Sequence, residues 1–526
     1  MPGRHRRHRQ PAGLPRAAAR GHAHSDPAWP APDRTGARMK ALTAPGQLAQ
    51  SYDLVVVGAG PAGLSAATTA AQHGLDVLLV DENPAPGGQI YRAITSTPIS
   101  DRAVLGQDYW RGADIVARFE RAPASYAARC TLWSVTPHAT RHHGQAFEVG
   151  LSQGGCARLI DARQLILATG AQERPFPIPG WTLPGVMSAG AAQIALKSAA
   201  IVPAGRTVVA GCGPLLYLLA RQLAAAGAEI VALLDTTPRR YWSRAAAALP
   251  DFLRSPYALA GLKLLAGLHL NRRLRFVGGV TGLSGAGQDR LAAVTFVRDG
   301  RTARIDCDTL LLHQGLIPGV NLSNAAGCAH DFSAAGHCWV PRLDDWFTSS
   351  VPGIAIAGDG AGIAGAESAA LRGEIAALAV AERLGRIDLA ARERAATPLR
   401  AQLARALRGR RFLDLLYQPA AQFLAPPQDD TIVCRCEEVT AGQIRDSAKR
   451  LGVTGPNRMK AFLRCGMGPC QGRLCGPTVV ELIAQTHGMT PAQVGYYRLR
   501  PPVKPVTLAE LAALPQTEAA IEAVVP

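Results

Sequence analysis

Between residues 52 and 359 the chain returns several times to a short, almost wholly apolar run, most often ended by a turn of small residues and followed by a stretch with helical spacing. The first run is Tyr52-Asp-Leu-Val-Val-Val, followed by Gly58-Ala-Gly60-Pro-Ala-Gly63 and by Ala66 and Ala70 at i, i+4. Val77-Leu-Leu-Val80, Leu165-Ile-Leu-Ala, Thr207-Val-Val-Ala, Ile230-Val-Ala-Leu-Leu234 and Ile354-Ala-Ile-Ala repeat the run. Apolar runs without alternation predict buried strands, and strands that alternate with helices predict an α/β fold. Nearer the C-terminus Thr440 and Gln443 have the spacing of a capping box and predict a short helix.

At 526 residues the chain exceeds one ordinary hydrophobic core, so about three domains are expected. The longest apolar stretch, Thr207 to Ala220, stops at Arg221, short of bilayer length, and no membrane span is expected. The formal charge of +17 is uneven. Residues 1–38 hold Arg4, Arg6, Arg7, Arg9, Arg16, Arg20, Arg34 and Arg38 against Asp26 and Asp33. The remaining excess is thinly spread and not interleaved with aromatic residues, which argues against nucleic-acid binding. The first fifty residues, rich in Pro, Ala, Arg and Gly, carry neither an amphipathic period nor a secretion signal and are expected to be disordered. The eleven cysteines, five of them between Cys434 and Cys475, then point to reduced thiols with a metal or redox role in a cytoplasmic protein.

The first glycine turn has the order of a dinucleotide site. Gly58 permits the tight turn, Gly60 lets a pyrophosphate approach the backbone, and Gly63 lets the helix pack on the strand. Pro61 is tolerated in the first helical turn, where its missing N–H has no partner to lose. Asp81, at the end of the next strand, is placed to accept hydrogen bonds from a ribose, with Glu82 as the alternative.

Three distant segments favour FAD over NAD: Gly87-Gly88-Gln89, the strand end Thr169-Gly170, and the strand end Gly358-Asp359. In this order the chain resembles the two-dinucleotide-domain flavoproteins of the pyridine-nucleotide disulfide oxidoreductase type, over about residues 52–385. The resemblance implies that Gly358 and Asp359 close over the pyrophosphate and ribitol of FAD. The redox disulfide that names those proteins is missing, because Gly88 is followed by Gln-Ile-Tyr-Arg and no short-spaced cysteine pair lies nearby.

A second nucleotide-type turn, Gly211-Cys-Gly213-Pro-Leu-Leu216, precedes a helix and a strand ending in Asp235. Leu216 stands where the third glycine belongs and is expected to hinder close helix-to-strand packing. NAD(P) is therefore not expected as a cofactor.

Cys434-Arg-Cys436 and Cys465-Gly-Met-Gly-Pro-Cys470-Gln-Gly-Arg-Leu-Cys475 form two thiol clusters that can converge on one soft metal site. The pattern resembles the helical domain related to bacterioferritin-associated ferredoxin, which implies a [2Fe-2S] cluster. In flavoprotein subunits of this kind an Ala-Gly-Met-Gly run precedes the third ligand. That implies Cys434, Cys436, Cys470 and Cys475 as ligands and Cys465 as the extra thiol. Structural Zn²⁺ is the alternative, since four thiolates also suit it.

Scaffold, missing disulfide and appended module together resemble the alpha subunit of heteromeric amine dehydrogenases, a group that includes opine oxidases, proline and hydroxyproline dehydrogenases, hydrogen cyanide synthase and part of sarcosine oxidase. Ala171-Gln-Glu-Arg174-Pro and the tail Tyr497-Arg-Leu-Arg-Pro-Pro continue the likeness. It implies an FAD- and [2Fe-2S]-containing oxidoreductase that takes part in oxidising a secondary amine or amino acid. Its partners would be a small ferredoxin-like subunit and a second FAD-dependent amine-oxidising subunit. No residue is identified as a general base. The rival readings are a stand-alone NAD(P)H-dependent flavoprotein reductase and a non-catalytic nucleotide-binding scaffold subunit.

The expected organisation is a basic extension (1–50), a FAD-binding domain in two parts (51–200 and 311–390), an inserted nucleotide-binding-like domain (201–310), a helical linker (391–430), the [2Fe-2S] domain (431–490) and a tail (491–526).

Overall fold

The computed structural model describes residues 38–140, 144–270 and 274–514. Most of the expected basic extension lies outside these residues, but its last part is folded. Strand β1 (Lys40–Leu42) is ordered, and Leu42 and Leu48 are buried. A strand of three residues is too short to leave a readable pattern, so the fold starts earlier than the sequence implies.

The first sheet continues with β2 (Ser51–Val57), helix α1 (Pro61–Gln72), β3 (Val77–Asp81), β4 (Ser125–Ala128) and the antiparallel β5 (Cys130–Thr140), β6 (Gly144–Gln153) and β7 (Cys156–Leu167). Its order is β1-β4-β3-β2-β7-β6-β5. Val57 pairs with Val80 on one side and Leu167 on the other, in parallel. Three strands therefore end level, and Gly58, Asp81 and Ala168 leave the sheet at one edge. Ligands of open α/β sheets bind at such carboxyl ends.

Strand β8 (Ala171–Glu173) leads into a second unit of β9 (Val186–Ser188), α2 (Ala189–Ala199), β10 (Thr207–Cys212), α3 (Pro214–Ala225), β11 (Ile230–Asp235), α4 (Pro256–Leu270) and β12 (Arg275–Gly278). A meander of β13 (Gly282–Gly287), β14 (Leu291–Arg298) and β15 (Arg301–Asp306) precedes β16 (Thr309–Gln314). This second sheet has the order β12-β11-β10-β16-β9, and every neighbouring pair is parallel.

The chain returns through β17 (Leu316–Pro318), which pairs with β8 as a two-stranded hinge. Helix α5 (Asn321–Ala325), the hairpin β18 (His330–Ser333) and β19 (Cys338–Pro341), and β20 (Ile354–Ile356) follow. β20 joins the first sheet beside β7, and α6 (Ala366–Arg383) packs on α1. The packing is close because Gly373 faces the backbone of Ala62, where an added Cβ would fall 2.1 Å from the carbonyl oxygen.

Helices α7 (Leu389–Leu407) and α8 (Arg410–Leu416) connect to a small module of β21 (Ile432–Cys434), β22 (Val439–Thr440), α9 (Ala441–Arg450), α10 (Pro456–Leu463) and α11 (Gly476–His487). Thr440 and Gln443 form the expected capping box at the start of α9. The module has its own core, in which Val433, Ile444, Val479 and Ile483 surround Cys434, Cys465 and Cys475. No helix among the described residues is long and apolar enough to cross a membrane.

Candidate functional site

The structure gathers the residues of the first turn and its three distant segments around the edge of the first sheet. A Cβ on Gly63 would lie 1.8 Å from the Gly58 carbonyl oxygen, so the third position of the turn admits only glycine. Gly60 and Gly88 face each other backbone to backbone: a Cβ on Gly88 would come within 2.8 Å of the Gly60 Cα. The Gly87 N–H donates to the Ala59 carbonyl at 2.8 Å, which holds the two glycine turns together. From the other side, a Cβ on Gly358 would meet Ala62 at 2.7 Å, and one on Gly360 would meet Thr169 Oγ1 at 3.4 Å. Thr169 Oγ1 donates to the Gly319 carbonyl, and the Gly319 N–H donates back to Gly170. Asp359 Oδ1 accepts from the N–H groups of Ala364 and Gly365, which fixes the approach to α6.

Asp81 is more engaged than its place at a strand end implies. It is buried, and its Oδ2 accepts from the Ala59 N–H at 2.5 Å while Oδ1 accepts from Asn83 N and Nδ2 at 2.7 and 2.6 Å. Burial pushes its pKa above the usual carboxylate value, and the bonds from Asn83 and Ala59 oppose that shift. Asp81 thus ties its strand end to the glycine turn with most of its acceptor capacity used. Asn83 in turn accepts from Arg92 Nη1, and Arg92 Nη2 donates to Gln89 Oε1 at 2.8 Å. Glu82 points elsewhere, to Lys504 of the C-terminal tail at 2.6 Å.

Two cations of this site carry no sequence signature. Lys197, on α2, is 2% exposed and donates to the Ile90 carbonyl at 2.9 Å and to Gln193 Oε1 at 3.1 Å, with the Gln89 carbonyl at 3.4 Å. Burial lowers its pKa to about 7. Arg372, on α6, donates to the Gly358 and Gly362 carbonyls, and its Nε is buried without a partner. A glycine-lined cradle and an unpartnered buried guanidinium nitrogen at its rim fit a bound dinucleotide with a pyrophosphate.

The second turn is built differently. Leu216 does not hold α3 off the sheet, as its bulk implies; it is fully buried in the main core, and the helix starts at Pro214. What fills the turn is local. Asp235 accepts from Tyr217 Oη at 2.7 Å and from the Thr237 N–H at 2.8 Å. Cys212, between the two glycines, meets the Gln314 side chain and the carbonyl of Tyr417, the residue that ends α8. The acid that would hold a ribose is capped from within the domain, and the linker lies against the glycine turn.

In the module five sulfurs adjoin one another in the sequence Cys436, Cys470, Cys475, Cys434, Cys465. Cys465 and Cys475 donate toward Cys434 and hold its thiol well below its ordinary pKa; Cys475 does the same for Cys470. The sulfurs meet pairwise. Among the described residues no three Cys, His, Asp or Glu side chains already surround one point as metal ligands. An all-thiol donor set with thiolate-stabilising neighbours fits an iron–sulfur cluster. Gly468 makes room for Cys436, whose Cβ would lie 2.3 Å from a Cβ at that position. Of the other six cysteines, Cys130, Cys212, Cys307 and Cys328 are buried, Cys338 is half-buried and Cys156 is exposed; all eleven are free thiols.

The cysteine loop is docked on the scaffold. Asn321 Nδ2 donates to the Gln471 carbonyl at 2.9 Å, and Gln172 Nε2 to the Arg473 carbonyl at 2.7 Å. Gln172 lies in the hinge strand β8, just after Thr169 and Gly170, and Asn321 follows β17, while Trp181 Nε1 adds a bond to the Ile432 carbonyl. Sequence reasoning did not find these donors, since ordinary amides give no signal until the loop they hold is in place.

Residues 52–385 match the family described as pyridine nucleotide-disulphide oxidoreductase, and residues 432–485 match the BFD-like [2Fe-2S] binding domain. The A subunit of the opine oxidase of Rhizobium meliloti is 47% identical over 92% of this chain and 92% of its own length. The chain belongs to the family of opine oxidase A subunits. Hydrogen cyanide synthase subunit HcnB of Pseudomonas aeruginosa is 35% identical over 86% of this chain and 96% of that protein. Among solved structures, L-proline dehydrogenase from P. horikoshii covers 91% of this chain, and 81% of its own, with a TM-score of 0.65 at 18% identity, a likeness of fold. The family assignment makes the chain an FAD-dependent oxidoreductase subunit with a C-terminal [2Fe-2S] domain, and favours that reading over a stand-alone reductase or an inert scaffold. Its relatives are subunits of heteromeric oxidases.

Proposed function

We propose that this subunit works beside a second FAD-dependent subunit that oxidises the C–N bond of a secondary amine or amino acid of the opine type, and that it passes the electrons on. A small ferredoxin-like subunit completes the assembly in this reading, and the cytoplasm is its compartment, in keeping with eleven free thiols. The observation that carries the proposal is the docking of the cysteine loop, through Asn321 and Gln172, onto the hinge beside Thr169 and Gly170.

When bound, FAD accepts electrons in pairs and a [2Fe-2S] cluster takes them singly, which is the chemical reason for housing both in one chain. The residues proposed to hold FAD are Gly58, Gly60, Gly63, Asp81, Gly88, Gln89, Thr169, Gly170, Gly358 and Asp359. The glycines let the cofactor backbone approach, Asp81 holds the turn in shape and offers its remaining acceptor site to the ribose, and Asp359 offers its free oxygen to the ribityl chain. Cys434, Cys436, Cys470 and Cys475 are proposed as the cluster ligands. Cys436, Cys470, Cys475 and Cys434 neighbour one another in turn, with Cys465 beyond Cys434. The domain organisation expected from sequence is kept with two changes: the fold starts at Lys40, and the inserted unit runs from β9 (Val186–Ser188) through β16 (Thr309–Gln314) rather than over 201–310, because β9 pairs with β16 in the second sheet.

The test is to co-express the subunit with a second, amine-oxidising flavoprotein subunit, purify the complex anaerobically and compare reductants. An opine or a related secondary amine should bleach the flavin absorbance and NADH should not. Rapid bleaching by micromolar NADH, with no response to amines, would replace this reading with that of an NAD(P)H reductase.

A further inference from the structure

The C-terminal tail closes the cysteine loop from one side. Tyr497 is 1% exposed and is the largest of the fully buried side chains. Its ring lies over Gly466 and Gly472, where a Cβ at either position would come within 2.8 Å of a ring carbon. Both glycines have positive φ, 88° and 77°, so the loop that presents Cys470 is shaped to receive this ring. The Tyr497 hydroxyl is buried, makes no hydrogen bond of ordinary geometry, and faces the Cys475 thiol, with Cys465 nearby.

A buried phenol ordinarily finds an acceptor. A neutral thiol is a weak one, whereas a cysteine sulfur that ligates iron carries negative charge and accepts strongly. The hydroxyl therefore adjoins a sulfur that becomes a strong acceptor only when it ligates iron.

We propose that Tyr497 is a positioning residue of the cluster: its hydroxyl donates a hydrogen bond to the Cys475 sulfur and so raises the cluster's reduction potential. A hydrogen bond to a ligand sulfur withdraws electron density, and it favours the reduced form because that form carries the extra negative charge. The tail thereby makes the cluster a better acceptor. This rests on the proposed ligand set, in which Cys475 binds iron.

The experiment is Tyr497→Phe in the full-length protein, purified anaerobically, with iron, acid-labile sulfide and FAD measured on the sample used for an EPR-monitored redox titration. Y497F should hold iron and sulfide as the wild type does, shift its midpoint to a more negative value, and lose one exchangeable proton coupling seen in the wild type before transfer to D₂O. Loss of iron from Y497F with FAD retained counts against the proposal, because the hydroxyl would then be needed to hold the cluster rather than to set its potential. An unchanged midpoint together with unchanged proton couplings in an iron-loaded Y497F overturns it. Failure of the ligand set reads differently, as a Cys475→Ser protein that keeps its cluster.

Discussion

Lys504 Nζ and Glu82 Oε2 lie 2.6 Å apart although 422 residues separate them, and the contact fastens the C-terminal tail to the strand end of the FAD scaffold. The tail is a strap: Leu499 N donates to Asn324 Oδ1, Val503 N to the Trp133 carbonyl, and Arg473 of the cysteine loop to the Val503 carbonyl. The side chains of Lys504 and Glu82 are 33% and 50% exposed, so solvent screens the ion pair and its worth is at most about 1 kcal/mol. Lys504→Ala should leave the melting temperature nearly unchanged while speeding proteolysis of the tail. A large drop in stability would mean that the pair matters more than its exposure allows.

Asp81→Ala should weaken FAD retention by more than one lost ribose contact. Its carboxylate also holds Ala59 and Asn83, and hydrogen bonds to a charged group contribute about 1.5–3 kcal/mol each. Flavin occupancy after dialysis is the readout. Full occupancy would remove Asp81 from the site.

Lys197 gives the scaffold a pH dependence of definite sign. Its folded pKa of about 7 lies below the 10.5 of the unfolded chain, so between these values the unfolded state binds the extra proton. Stability should therefore rise as pH increases from about 7 toward 10.5, and the contribution is absent at its lower end. Lys197→Met, which keeps the stem and removes the titration, should flatten the slope of denaturant midpoint against pH. An unaltered slope would show that another group sets it.

The glycine turns, the strands that run into them and the cysteine spacing were legible in the sequence because each is a local pattern forced by sterics or by donor chemistry. Gly63 illustrates this, since a carbonyl oxygen stands where its Cβ would be. What was not legible is long-range. Leu216 predicts a disturbed second domain, yet the core absorbs it and Tyr217, Gln314 and Tyr417 fill the turn. Lys197 and Arg372 read as ordinary helix residues until α2 and α6 are placed against the glycine turns. The same holds for Asn321 and Gln172, whose role depends on a loop about 150 and 301 residues away.

The ligand set is open to direct substitution. Cys465→Ser should keep the cluster's visible absorbance and its EPR signal after reduction, while Cys470→Ser or Cys475→Ser should abolish both. The flavin should survive in all three, because the module has its own core. If Cys465→Ser loses iron and Cys475→Ser retains it, the ligands are Cys434, Cys436, Cys465 and Cys470.

The central claim is that electrons entering the complex from an amine reach a [2Fe-2S] cluster docked on the FAD scaffold. Rapid freeze-quench EPR on the anaerobic complex mixed with its amine, run beside stopped-flow absorbance, measures this. The account predicts that the reduced-cluster signal grows as the flavin bleaches, and that Asn321→Ala combined with Gln172→Ala slows the first without slowing the second. A flavin that bleaches and turns over an acceptor while the cluster stays oxidised, or a module that holds zinc and no acid-labile sulfide, would contradict it.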